Sequence, residues 1–514
     1  MKFFNISLML LLPFAVNAQT KVSIVDYGAK SDGKTNNAQA IQKAIDETSS
    51  KGGGTVVIPA GRFLTAPINL KSGVNLFVSE KAVLLGSDKR LDYSSGNALP
   101  LIAADGQHDI SITGPGTIDG QGDLILEDLL RLLKAGTLQD ATWQKYNPWR
   151  QKQPEERNRP KLVLFRNCSN IKIKHVFMKN ALDWVQDYRN CENLVVDSMK
   201  VESNTYWNND GIDIVDCRNV RVTNSFFNAD DDGICFKSEN RQHYCDNIYV
   251  ANCKVRSSAS AIKFGTASHG GFKHVKLENI EIYDTYRSAI AIEAVDGGFM
   301  EDITLKNINA RNTGNAIFIR TGHRNQDSVS SYIKKVFISN VNVQVPAGKP
   351  DKGYPMEGPP VPGEHHVFPC VIAGLPGHPV SDVTIENIKV TYEGGYDKKI
   401  PTISLDSLHT IPEKPADYPE FSMFGELPAW ALYVRHAENL TFKSTTFDYQ
   451  KPDLRAACVF DDVKGLNLED FTIKKAKTTP VMVLKDVKNE SFKALQLPGD
   501  KKVSIKRINY IFYR

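Results

Sequence analysis

Six aspartates crowd the segment from Asn208 to Ser238. Asp210, Asp213 and Asp216 fall in N-N-D-G-I-D-I-V-D, and Asp230, Asp231 and Asp232 in A-D-D-D-G-I-C-F-K-S. Both stretches otherwise read as short β-strands, which disfavour Asp, and a buried carboxylate costs free energy unless it is paired or put to use. Asp210 and Asp231 are 21 residues apart, close to one coil of the repeat described below. Residues one coil apart in a parallel solenoid stack at roughly 5 Å. Carboxyl groups that close repel one another, so their pKa values separate, one serving as acid and another as base. An acid and a base flanking one bond can hydrolyse a glycosidic linkage.

The elements that must position these carboxylates are visible as a repeat. It runs N-I-K-I-K-H-V from Asn170, N-L-V-V-D-S-M from Asn193, N-V-R-V-T-N-S from Asn219 and N-I-Y-V-A-N-C from Asn247. Related runs start at His274, Asp302, Lys335, Asp382, Asn439 and Gly465. Successive starts from Asn170 to Asp302 are 23, 26, 28, 27 and 28 residues apart. Apolar–polar alternation recurring at that period, with Asn at the turns, predicts a right-handed parallel β-helix. The Leu-rich helical half of a leucine-rich repeat, the competing solenoid, is missing.

The start of the repeat region reads V-S-I-V-D-Y-G-A-K-S-D-G-K-T-N-N-A-Q-A-I-Q-K-A-I-D, a strand, a turn and an amphipathic helix capped at Thr35 or Asn36. That helix is expected to cover the open edge of the first coil. Insertions at 123–158, 344–368 and 405–429 interrupt the repeat, the first with a helical L-E-D-L-L-R-L-L-K and the others rich in Pro. Loops of this length are usually functional rims. Residues 19–514 are thus expected to form one domain.

Residues 1–18, M-K-F-F-N-I-S-L-M-L-L-L-P-F-A-V-N-A, have the charge, apolar run and small-residue ending of a secretory signal peptide, with cleavage expected near Ala18. The expected destination is secreted or periplasmic, with no membrane insertion. The formal net charge is +4, or +3 once Lys2 leaves with the leader, too near neutral over 514 residues to favour nucleic acid. Cys168, Cys191, Cys217 and Cys245 each stand two residues before a repeat Asn, so they are read as a buried ladder of small side chains.

These features together resemble glycoside hydrolase family 28, the polygalacturonase family. The resemblance rests on D-Y-G-A-K-S-D-G-K-T-N-N-A-Q-A-I, G-G-G-T-V-V-I-P-A-G, G-P-G-T-I-D-G-Q-G at 114–122, Arg159-Pro160, Asn208-Asn209-Asp210 and Asp231-Asp232 before I-C-F-K-S. It implies an inverting hydrolase of pectic or related acidic polysaccharide, needing no cofactor or metal and expected to act as a monomer. Asp231 would be the general acid, with Asp210 and Asp232 holding and deprotonating the attacking water. Two family elements are replaced. Gly-His-Gly aligns with Ala259-Ser260-Ala261, and the carboxylate-gripping Arg-Ile-Lys aligns with Ala291-Ile292-Glu293.

A cation has become an anion there, so the sugar is not expected to be held as a standard galacturonate. Asn208, Asp213, Lys263, His269, Arg287, Glu293 and Arg320 are the candidate substrate contacts. Three rival readings use the same residues. A calcium loop over Asn228–Glu239 would need flanking helices, and its flanks are strand-like. A β-elimination lyase and a catalytically silent carbohydrate-binding solenoid share the fold. The three insertions are expected to close the groove into a pocket that admits chain ends, giving exo-action.

Overall fold

A computed structural model describes residues 20–508. The signal peptide expected at 1–18 lies outside the described residues. Strands stack in parallel, coil upon coil, along the whole described chain, as a parallel β-helix. The repeat read from the sequence is its register. Ile171, Leu194, Val220, Ile248, Val275, Ile303, Val336, Val383, Leu440 and Leu466 stand one above another, all facing the core. Each buried aliphatic side chain in such a column contributes about 1.5–3 kcal/mol.

Asparagine makes the corners for two reasons. Asn170, Asn193, Asn219 and Asn247 all adopt φ between 54° and 57°, a left-handed conformation that Asn tolerates better than most residues. Their amides also bond from coil to coil, with Nδ2 to Oδ1 distances of 3.0, 3.2 and 2.8 Å. A second ladder joins Asn224, Asn252, Asn279, Asn307, Asn340 and Asn387. Cys168, Cys191, Cys217 and Cys245 are buried, unbridged and in register, as the ladder reading expected.

The helix Ala38–Ser50 lays Ile41, Ala44, Ile45 and Thr48 against the first coils. It starts on Asn37 rather than on Thr35 or Asn36. Asn37 turns inward, its amide donating to the carbonyls of Lys30 and Leu64 and so tying the helix to the solenoid. The Oδ1 of Asn36 accepts from Ala38 N at 3.0 Å, which supplies the capping bond one residue upstream. No described helix is long and apolar enough to cross a membrane.

One outward-facing column decides where the site lies. In register along it stand Asp187, Asp213, Cys235, Lys263 and Ala291, then Phe318, Val371, Tyr433, Val459 and Val483. Its first half is charged. Its second half is an apolar floor on which the third insertion packs Leu408, Ile411, Phe421, Met423, Phe424 and Leu427. The insertion is therefore anchored downstream and leans back over the charged coils.

Candidate active site

Asp210 and Asp232 end the corners that lead into the strands Ile212–Val215 and Ile234–Ser238. Ile212 pairs with Ile234, so the coil here is 22 residues long and Asp210 stacks on Asp232, not on Asp231. Carboxylate oxygens of Asp210 and Asp232 lie within 4.8 Å of each other. The glycines that follow permit this approach. A Cβ on Gly211 would sit 2.5 Å from the Gly233 carbonyl oxygen, and one on Gly233 would sit 2.3 Å from Val255 Cγ1.

Lys237 stands between Asp210 and Asp213. Its Nζ is 3.0 Å from Asp210 Oδ2, touches Asp213 Oδ1 and lies 4.0 Å from the centre of the Trp184 ring. Burial acts to lower the lysine pKa, but Asp210 and Asp213 more than offset it and hold it well above its ordinary value. Burial, with Asp232, raises Asp210 against the pull of Lys237. A cation is thus already built into the cluster of Asp210, Asp232 and Cys235.

Asp231 has different surroundings. Asn208 Nδ2 donates to its Oδ2 at 3.2 Å and the Asp232 amide donates to its Oδ1 at 2.9 Å. Arg159 fixes the sense of the Asn208 amide by donating to its Oδ1 at 2.7 Å, and also donates to the Trp207 carbonyl at 2.6 Å. Burial, then the charges of Asp210 and Asp232, push Asp231 up to about 8, while Arg287 and Lys237 oppose the shift. An upward shift is the direction a general acid working near neutral pH needs. Asp183, behind Arg159, is likewise pushed up to about 7 by burial.

These residues open on a cavity of about 720 Å³. Its floor includes Asn208, Asp210, Asp230, Asp231 and Asp232, and its walls come from all three insertions, through Tyr146 and Trp149, Pro359 and Tyr418. The rims are joined to one another. Trp149 meets Tyr418 edge-on with ring centres 4.8 Å apart, and His366 Nδ1 is 2.7 Å from Glu426.

The remaining candidates separate. Arg287 reaches the cavity wall. Lys263 and Glu293 pair with each other at 2.7 Å, both 1% exposed and outside the cavity lining. Burial pushes Glu293 up to about 7 against the pull of Lys263. Asp213 is buried under Lys237, away from the lining. His269 opens on a second basin, with Arg241 and Arg324. Arg320 donates to the carbonyls of Gly374 and Glu413, far along the column. Asp216 closes a turn, accepting from Ser238 Oγ at 2.6 Å and from two backbone amides.

Trp184, Trp207, Lys237 and Tyr418 line the cavity and were not singled out as contacts from the sequence. Trp184 was within reach of repeat counting, since Asp187 pairs with Asp213 and so sets Trp184 beside Asp210. Tyr418 left no such signal, because nothing periodic places an insertion residue.

The chain is similar in sequence and fold to known proteins of one family. The family model for glycosyl hydrolases family 28 matches residues 49–408. A probable polygalacturonase of Vitis vinifera is 25% identical over 415 residues, 75% of this chain and 77% of its own length. An exo-poly-alpha-D-galacturonosidase of Dickeya chrysanthemi is 28% identical over 320 residues, 54% of this chain and 53% of that protein, so the match spans about half of it. The hyperthermoactive exopolygalacturonase of Thermotoga maritima shares the fold, with a TM-score of 0.57 at 22% identity over 73% of this chain and 87% of its own.

Proposed function

Because the chain belongs to glycosyl hydrolases family 28, whose members cleave O-glycosyl bonds, we propose that it is a monomeric, inverting, exo-acting hydrolase of pectic or related acidic oligosaccharides. The observation that carries this reading is the enclosure of Asp210, Asp231 and Asp232 at the floor of a cavity walled by three insertions. An enclosed floor admits a chain end, whereas an open groove would admit the middle of a polymer. The signal-peptide-like sequence of residues 1–18 suits an enzyme whose polymer lies outside the cytoplasm.

In the proposed reaction Asp231 gives its proton to the glycosidic oxygen as the bond to the anomeric carbon breaks. A water held by Asp210 and Asp232 attacks that carbon from the opposite face and loses its proton to one of them. One water is consumed and the configuration inverts. Separate environments support separate roles. Among the described residues no cation pairs with Asp231, whose carboxyl is pushed up by burial and by Asp210 and Asp232, whereas Asp210 is paired with Lys237. NMR of the first-formed anomer on pectic oligosaccharides of defined linkage tests this. Inversion is expected, with turnover lost in Asp231→Asn; a retained anomer or near wild-type turnover in that variant defeats the assignment.

A further inference from the structure

A sugar carboxylate needs a cation whose donors are not already engaged. Six acidic side chains line the cavity, Glu155, Glu156, Asp210, Asp230, Asp231 and Asp232, so an anionic sugar enters only where a local cation draws it. Most nearby cations are engaged. Lys237 is bonded to Asp210 and Asp213. Arg159 donates to Asn208 and to the Trp207 carbonyl. Lys263 is closed against Glu293 behind Tyr418, whose ring centre lies 5.3 Å from its Nζ.

Arg287 differs from these three, and the other lining cation without a side-chain bond among the described residues, Lys145, is exposed on the first insertion. Arg287 is 9% exposed, lines the cavity wall, and its guanidinium makes no hydrogen bond among the described residues. Its nearest carboxylate, Glu420 on the third insertion, stands 3.8 Å away, an ion pair without a hydrogen bond. Its place in the register is also informative. Ile234, Ile262 and Ile290 stack in successive coils, so Arg287 lies two rungs past Asp231 in the same column. Two rungs are roughly 10 Å. That separation sets a bound group within about one sugar ring of the bond that Asp231 protonates.

We propose that Arg287 is the carboxylate anchor of this cavity, so that the sugar at or next to the cleaved bond is a uronate gripped by the guanidinium fork. The family's cation position has been lost to Ala291 and Glu293, and Arg287 supplies the charge from a corner one half-strand earlier. A guanidinium suits this task because its paired N–H groups match both oxygens of a carboxylate. Glu420 holds the fork in place and yields it to the substrate. This inference rests on the reading of Asp231 as the general acid.

The test compares Arg287→Gln and Arg287→Lys on trigalacturonate and on the same trimer with its carboxyl groups reduced to alcohols. A lost charge-assisted hydrogen bond corresponds to a fall on the order of 10–100-fold in kcat/KM. Arg287→Gln is expected to show that fall on the acidic trimer, with little change on the reduced one, and Arg287→Lys an intermediate fall. An equal loss on both trimers, or none on the acidic one, overturns the proposal. Calorimetric binding of trigalacturonate to Asp231→Asn, with and without Arg287→Gln, reads the anchor without turnover. Binding that is absent, or unchanged by Arg287→Gln, also overturns it. Hydrolysis by Asp231→Asn would instead defeat the assignment of the acid and leave the binding result standing.

Discussion

Replacing Lys237 with Met keeps an unbranched stem against Trp184 and removes the ammonium that joins Asp210 to Asp213. All three groups are buried, at 9%, 3% and 0% exposure. Removing one partner of a buried ion pair leaves an uncompensated charge and costs about 3–5 kcal/mol. Losing the cation 4.0 Å from the Trp184 ring adds about 0.5–2 kcal/mol. The expected destabilisation is therefore about 5 kcal/mol near neutral pH. Its pH dependence follows from the carboxyls left behind. Without Lys237 both are pushed further above the ordinary range for Asp. Stability from a group with a raised folded pKa is present below its unfolded value, about 3.9, and is lost as pH rises through the folded value. Urea denaturation at pH 5 and pH 8 should thus show a smaller loss at pH 5. Adding Asp213→Asn should recover a large part of the loss, since a neutral amide needs no counter-ion. A loss under about 1 kcal/mol, or one equal at both pH values, would refute the view that Lys237 is the built-in counter-ion of the cluster.

Two further outcomes follow from the same geometry. The pH profile of kcat/KM should have an alkaline limb near 8, because Asp231, the proposed acid, can act only while protonated and is pushed up to about 8; Asp231→Asn should abolish the limb and lower kcat roughly 10²–10⁴-fold, and a limb absent from wild type would argue against Asp231 as acid. Wild-type enzyme should release reducing ends from polygalacturonate without an early viscosity drop, whereas Trp149→Ala with Tyr418→Ala should open the joined rims and lengthen the products; an early drop with the wild type would defeat exo-action.

The coils were legible in the sequence because a parallel solenoid writes its core locally. Alternation sends every second residue inward, and each corner Asn carries its own left-handed preference, so Asn170, Asn193, Asn219 and Asn247 marked the corners without any knowledge of the fold. The aspartate cluster was legible for a related reason. Strand-like sequence rarely carries six carboxylates in thirty-one residues, 208 through 238.

Partners separated by non-repeating chain were not legible. A coil of 22 rather than 21 residues moved the neighbour of Asp210 from Asp231 to Asp232, and a shift of one residue exchanges which groups share a rung. Lys263 and Glu293 each look available in the sequence, yet they come from different coils and cancel where they meet. Arg320 and Arg287 are equally cationic on paper. Only the path of the third insertion, anchored on Phe318, Val371 and Tyr433, leaves one bonded to carbonyls and the other facing the cavity. Alternation is set residue by residue, whereas the roof over the aspartates depends on where insertions 123–158 and 405–429 come back to meet, at Trp149 and Tyr418.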